Sequence, residues 1–329
     1  MDTIIEVNNL TRTFKIAKHE GSFLQYLFSN KFDTIQAVNN ISFDINAGSI
    51  TSFLGPNGAG KSTAIKLLSG ILAPSSGIIS VMGRDPFVCR KRNAFEIGAV
   101  FGQRSQLWWD LPVQDTFNLI KKIYRISDKT YATNLAIIDH YLNINGYIKQ
   151  PVRQLSLGQR MRTEVAVAIL HNPKILFLDE PTIGLDIVAK HGIRNLILEI
   201  NKLYNTTIIL TTHDMRDIEE ISDSIILIDK GRIVVDAPFD AFKKQYVKET
   251  IIKVRFDKPV FLAIDNIQSY TENNIEWTFL IQKSVMSTGY LIKKLSLAGS
   301  ILDVSIKETP IEDIIHYIYT KGTESGNHM

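Results

Sequence analysis

The sequence predicts an α/β domain built on a buried parallel sheet and followed by a smaller α+β domain. Three observations carry that expectation. Residues 55–63 read Gly-Pro-Asn-Gly-Ala-Gly-Lys-Ser-Thr, after a β-prone stretch (Ile50, Thr51, Phe53, Leu54) and before helical spacing (Ile65, Leu68, Ile71), the strand–loop–helix context of a phosphate-binding loop. The run Ile175–Leu178 is wholly apolar and bounded by Pro173 and Pro181, so it reads as a strand buried on both faces. A length of 329 residues exceeds one compact domain and predicts a main unit over 1–236 with an accessory unit over 237–321.

The elements follow in chain order. Residues 4–14, 41–54 and 78–82 carry strand patterns and are expected to form an antiparallel part; Ile41-Ser-Phe43-Asp-Ile45 is the clearest alternation. Residues 15–36 form an insertion in which Phe23, Leu24, Tyr26, Leu27 and Phe28 fit a short amphipathic helix, packed on its own domain or against a partner. In the loop, Gly55, Pro56, Asn57, Gly58, Ala59, Gly60, Lys61, Ser62 and Thr63 line a polyphosphate: glycines turn backbone N–H groups inward and the following helix adds positive charge at its N-terminus. Lys61 is placed to reach the β- and γ-phosphates, and Ser62 to ligate Mg²⁺. Ile97–Phe101 reads as a strand, and 114–150 as helical, with Phe117, Ile120, Ile123, Tyr124 and then Leu135, Ile138, Leu142 at three- and four-residue intervals.

At the end of the buried strand stand Asp179 and Glu180. Strand side chains alternate, so the two carboxylates are expected to point opposite ways and to divide the work, Asp179 on Mg²⁺ and Glu180 on the attacking water. A helix over 187–203 and strands Ile225–Ile228 and Ile233–Val235, turning at Lys230-Gly231, close the main unit. In the accessory unit, strands are expected at Ile251–Phe256, Ile275–Ile281 and 301–306, a helix at 286–298, and a second helix starting from the capping box Thr309-Pro-Ile-Glu312 and running through Tyr319. Residues 322–329 read as a disordered polar tail.

Composition narrows the setting. Charged residues at 22% and hydrophobic residues at 45% describe a globular chain, and a net charge of +3 leaves no nucleic-acid footprint. The single cysteine, Cys89, fits a reducing compartment. No apolar run approaches the ~20 residues that span a bilayer, and no signal-peptide pattern opens the chain. The expectation is a cytoplasmic chain that reaches a membrane only by docking on a membrane protein.

Between the phosphate loop and the acidic pair lies Leu155-Ser-Leu-Gly-Gln159, followed by Arg160, Met161 and Arg162. With the other two motifs in this order, it resembles the signature, usually LSGGQ, of ABC-type ATPases. The resemblance covers residues 4 to about 236. It implies an ABC-type P-loop NTPase core, a mixed sheet with an antiparallel β subdomain and a helical subdomain over about 104–165, here with a small C-terminal α+β domain. It further implies that Gln103 senses Mg²⁺ and the attacking water, that Ile183-Gly-Leu-Asp186 couples two subunits through Asp186, that His213 contacts the γ-phosphate, and that Phe14 stacks on adenine. Ser156, Gly158 and Gln159 then hold the γ-phosphate bound to the opposite subunit. Leu157 departs from the family by replacing the first signature glycine, where the backbone comes close.

Within the family, Val100-Phe-Gly-Gln103-Arg-Ser-Gln-Leu-Trp108-Trp109-Asp-Leu-Pro112 and Leu155–Arg162 resemble ATP-binding subunits of bacterial exporters whose permeases are separate chains. That implies two ATP molecules with Mg²⁺ sandwiched between two copies, or two similar subunits, beneath integral membrane permease subunits at the cytoplasmic face of the membrane. The alternative is a soluble ABC-type ATPase with a non-transport role, which predicts two ATPase halves or a long heptad insertion; neither pattern is present. Trp108 and Trp109, adjacent in a Pro-ended loop, imply that at least one lies at the surface as a permease anchor, unless both pack inside the helical subdomain.

Overall fold

The computed structural model describes residues 2–17, 32–102, 105–246, 249–262, 264, 267–271, 273–282, 286–308 and 310–324. Two units are distinguished, Met1–Pro238 and Phe239–Met329. The first runs β1 (Thr3–Ala17), β2 (Phe32–Asn46), β3 (Ile50–Leu54), α1 (Lys61–Leu68), β4 (Ser76–Val81), α2 (Arg90–Asn93), β5 (Ile97–Phe101), α3 (Val113–Ile123), α4 (Asp128–Leu142), α5 (Leu157–Ile169), β6 (Ile175–Asp179), α6 (Ile187–Tyr204), β7 (Thr207–Thr211), α7 (Met215–Ile221), β8 (Ser224–Asp229) and β9 (Arg232–Pro238).

Alternation builds the first sheet, an antiparallel one ordered β2-β1-β4. Ile41, Phe43 and Ile45 point into a core with Ile5, Val7 and Val81, while Ser42 and Asp44 face out. The stretch 41–54 does not stay in this sheet as expected: the chain turns at 47–49, and β3 enters a second, six-stranded sheet. Lys15, Ile16 and Ala17 pair with Thr34, Asp33 and Phe32, so both ends of the expected insertion continue the β1–β2 hairpin. The aromatic cluster from Phe23 to Phe28 lies outside the described residues.

The six-stranded sheet is ordered β5-β6-β7-β3-β8-β9, parallel except for β9, which runs antiparallel to β8. β6 explains why that sheet is buried on both faces. Ile175 and Phe177 join a core with Phe53, Ile65 and Leu68, whereas Leu176 and Leu178 join another with Phe117, Val165 and Leu196. Each such burial stabilises by roughly 1.5–3 kcal/mol, so no residue of β6 before Asp179 tolerates a charge. The helical segment divides into α3 and α4 rather than running on, because Arg125 adopts φ 54° and Ser127 starts α4 by accepting from the Thr130 N–H.

The second unit contains α8 (Phe239–Tyr246), β10 (Glu249–Phe256), β11 (Gln268–Thr271), β12 (Glu276–Gln282), α9 (Thr288–Ala298), β13 (Ile301–Glu308) and α10 (Ile311–Glu324). Its antiparallel sheet is ordered β11-β12-β10-β13. Ile252, Val254, Phe256, Trp277, Phe279 and Ile281 bury one face of it with Leu291 and Leu295 of α9. α10 extends through Glu324, so the expected tail at 322–329 begins in a helix; Ile311, Ile314, Ile315 and Ile318 bury its earlier turns, and the polar run after them is carried as their continuation. Thr309, the expected cap, lies outside the described residues.

Candidate functional site

Where β3 hands over to α1, the backbone makes room that only glycine allows. A Cβ on Gly55 would meet the Ile228 carbonyl oxygen at 2.3 Å, and one on Gly60, at φ 110°, would meet the Ala37 carbonyl oxygen at 2.3 Å. Gly60 is the N-cap of α1, whose own first turn carries no acidic residue, so the helix turns a positive end toward the loop. Lys61 Nζ bends over the loop, donating to the carbonyl oxygens of Gly55 at 2.5 Å and Pro56 at 3.1 Å. Burial lowers the Lys61 pKa from its ordinary value, against the opposing pull of Glu180 and Asp179.

The parallel register carries the other groups to this end of the sheet. Asp179 closes β6, pairs across to Thr211 of β7, and accepts at Oδ1 from Ser62 Oγ at 3.2 Å and from Thr211 Oγ1 at 2.6 Å. Glu180 lies one residue past the strand in a left-handed conformation, φ 56°. Its direction therefore does not come from strand alternation, as the sequence suggested; the left-handed turn redirects it. The Glu180 N–H donates to the Thr211 carbonyl at 3.0 Å, and its Oε1 stands 2.8 Å from His213 Nε2. Lys61, Ser62, Asp179, Glu180 and His213 are thus gathered at the ends of β3, β6 and β7. Thr211 is the residue sequence reasoning missed: a hydroxyl ending the apolar run Ile208–Leu210, beside an acidic strand end, was the available signal.

The remaining candidates stand elsewhere. Ser156 is the N-cap of α5, in a capping box with Gln159: the Gln159 N–H donates to Ser156 Oγ at 3.2 Å, and the Ser156 N–H to Gln159 Oε1 at 2.9 Å. Gly158 lies in the same turn, and Asp186 caps α6 by accepting from the Ala189 N–H at 2.8 Å. Among the described residues no hydrogen bond joins Ser156, Gly158, Gln159 or Asp186 to residues 55–63 of the same chain. Leu157, 51% exposed, lies over Gly184, its Cδ2 3.1 Å from where a Cβ there would be. The Arg12 guanidinium lies over the half-buried Phe14 ring, 4.7 Å from its centroid.

Gln103 lies outside the described residues. Just after it, Glu164 of α5 accepts from Ser105 Oγ and from the Gln106 N–H. Burial raises the Glu164 pKa, more than those two bonds lower it. Trp108 and Trp109 are 41% and 53% exposed, so neither packs inside the helical segment; the Arg160 guanidinium lies 5.9 Å from the Trp109 ring centroid. No helix among the described residues is long and apolar enough to cross a membrane.

A glycine cradle, a hydroxyl–carboxylate pair and an acid–histidine pair at the carboxyl edge of one parallel sheet place the chain among nucleotide hydrolases with a phosphate-binding loop. Similarity to known proteins narrows that class. A model of the ABC transporter family matches residues 38–183. The bacitracin transport ATP-binding protein BcrA of Bacillus licheniformis is 32% identical over 248 residues, 74% of this chain and 73% of that protein. The methionine import ATP-binding protein MetN of Geobacillus kaustophilus is 33% identical over 230 residues, 66% of this chain and 67% of that one. A solved ATP-binding cassette, dimeric and bound to ADP and phosphate, superimposes with a TM-score of 0.60 at 23% identity, over 71% of this chain and 98% of its own. The chain belongs to the ABC transporter family as an ATP-binding, ATP-hydrolysing subunit.

Proposed function

We propose that this chain is the ATPase of an exporter, working as a pair of identical subunits under separate membrane permeases at the cytoplasmic face of the membrane. The observation that carries the chemistry is the 2.8 Å approach of Glu180 Oε1 to His213 Nε2 beside the phosphate loop. In this reading residues 55–63 cradle the phosphates, Lys61 reaches the β- and γ-phosphates, Glu180 orients the attacking water, and His213 contacts the γ-phosphate. Phe14 offers its ring to the adenine while Arg12 covers part of it. Ser156, Gly158, Gln159 and Asp186 serve the site of the second subunit.

Ser62 Oγ and Asp179 Oδ1, 3.2 Å apart, are hard oxygen donors that suit Mg²⁺, with Gln103 as a further ligand. The ion, when bound, supplies charge neutralisation on the phosphate oxygens. Export as the direction is supported by the likeness of residues 100–112 and 155–162 to exporter subunits; a methionine import protein among the relatives makes uptake the competing outcome.

Glu180→Gln tests the chemistry: ATP affinity stays and hydrolysis falls by roughly a hundredfold or more. Wild-type turnover in that variant would falsify the role of Glu180. Direction is read from cells carrying the chain with its permeases. Raised bacitracin resistance that Glu180→Gln abolishes supports export, whereas ATP-dependent accumulation of methionine reverses it.

A further inference from the structure

Behind the acid–histidine pair lies a buried ionic network. Asp217 of α7, 1% exposed, accepts at Oδ2 from Thr182 Oγ1 at 2.6 Å and from Thr212 Oγ1 at 2.7 Å, and at Oδ1 from Arg194 Nε at 2.5 Å. Arg194 of α6, 6% exposed, extends its remaining nitrogens to Glu220 Oε2 at 3.2 Å and Asp214 Oδ2 at 3.3 Å. Lys190, one turn earlier on α6, donates to Asp214 Oδ2 at 2.6 Å. Three segments meet at this carboxylate. Thr182 belongs to the loop between Glu180 and Asp186; Thr212 and Asp214 flank His213; and α6, which carries Arg194, is capped by Asp186.

Stability alone does not account for such an arrangement. Replacing a buried ion pair by apolar side chains of similar volume is often neutral or stabilising, because desolvation offsets the attraction. What the network supplies and an apolar cluster does not is direction: Asp217 receives three donors at fixed angles from three segments. We propose that Asp217 and Arg194 are positioning residues for hydrolysis, tying the Thr212–Asp214 loop to the Glu180–Asp186 loop so that His213 and Glu180 keep their mutual distance. The proposal rests on the roles assigned to Glu180 and His213. Hydrolysis depends steeply on that geometry, since misplacement of a reacting group by about 1 Å costs roughly a hundredfold. Nucleotide binding, held by residues 55–63, does not depend on it.

The test uses the full chain, with ATP turnover, affinity for ATP and urea unfolding measured together. The double variant Arg194→Met/Asp217→Leu removes both charges without leaving either unpaired. Thr182→Val removes only the tie to the Glu180 loop and keeps the fold should the double variant lose it. Expected are a fall in kcat of roughly ten- to a hundredfold for the double variant and a smaller fall for Thr182→Val, with KM and ATP affinity within about twofold of wild type. Wild-type kcat in folded variants would overturn the proposal, as would a loss confined to KM or one that disappears where the variants are fully folded. Glu180→Gln separates the two levels. If it is inactive while the network variants turn over normally, only the positioning role fails; if it turns over normally, the underlying reading fails and this one with it.

Discussion

Glu180 combines a left-handed backbone with a central place in the site. A non-glycine residue at φ 56° carries roughly 1 kcal/mol of conformational cost, which the Thr211 contacts to its N–H help to hold in place. Glu180→Gly is therefore expected to raise the urea midpoint, by up to about 1 kcal/mol in stability, while abolishing hydrolysis; a lowered midpoint would show that the position is unstrained. His171 sets a second balance at the scale of one residue. Its ring stacks on Tyr124 with centroids 3.9 Å apart, Nε2 lies 3.2 Å from the Ile97 carbonyl oxygen, and Nδ1 is sealed from solvent without a partner among the described residues. Because that carbonyl only accepts, Nε2 carries the proton and Nδ1 is a bare acceptor; protonating it would bury an unmatched N–H. Burial lowers the pKa from 6.5 to about 4, more than the bond to Ile97 raises it. The unfolded chain binds the extra proton between those values, so stability is fully present above pH 6.5 and is lost as pH falls toward 4, by on the order of 3 kcal/mol. His171→Phe keeps the stacking and cannot be protonated, so its urea midpoint should fall less between pH 7 and pH 4.5 than that of the wild type. Equal slopes would remove His171 from the acid response.

At the scale of elements, the loop that carries Trp108 and Trp109 is held by its backbone and leaves the rings outside. The Trp109 carbonyl accepts from the Arg153 N–H at 2.9 Å, the Leu111 carbonyl from the Val152 N–H at 3.0 Å, and Arg153 pairs with Asp110 at 3.2 Å. Trp109→Ala therefore removes exposed area and a surface contact with Arg160 of about 0.5–1 kcal/mol, with the fold and isolated ATP hydrolysis intact. We propose Trp109 as a permease anchor on the strength of that exposure: co-purification with the permease chains should then fall sharply, and undiminished capture would overturn the assignment. What was legible in the sequence follows from how local each signal is. The phosphate loop and β6 are set by residues within a few positions of each other, and both were readable; the Ser156–Gln159 capping box is equally local, but those residues were read as a signature and not as a cap. The Asp217 network draws Thr182 from 35 positions away and Arg194 from 23, so nothing in either neighbourhood announces it. α8 and β11 escaped for another reason. Phe239 and Phe242 give α8 only two buried anchors, and Gln268–Thr271 is a four-residue edge strand, too short for an alternation to stand out.

For the whole molecule, the arrangement of the site bears on how many chains make it. Lys61, Ser62 and Glu180 stand at one end of the sheet, while Ser156 and Gln159 are locked in a capping box that, among the described residues, makes no hydrogen bond to residues 55–63. Either the α5 N-terminus serves another function, or it completes the site of a second copy. Mixing variants decides. Lys61→Ala disables the phosphate loop, and Ser156→Arg places a bulky cation at the α5 N-terminus; each homodimer then has two broken sites and no hydrolysis. Random pairing of equal amounts makes half the dimers mixed, and each mixed dimer keeps one intact composite site, so hydrolysis should return to roughly a quarter of the wild-type level. Ser156→Arg also costs α5 its cap, about 0.5–2 kcal/mol, which a domain of this size survives; folding of the variant is checked by its unfolding midpoint. Full activity of Ser156→Arg alone would mean that each chain hydrolyses ATP without α5 of a partner. If the mixture stays inactive and also forms no ATP-dependent dimer in gel filtration, the paired arrangement fails as well.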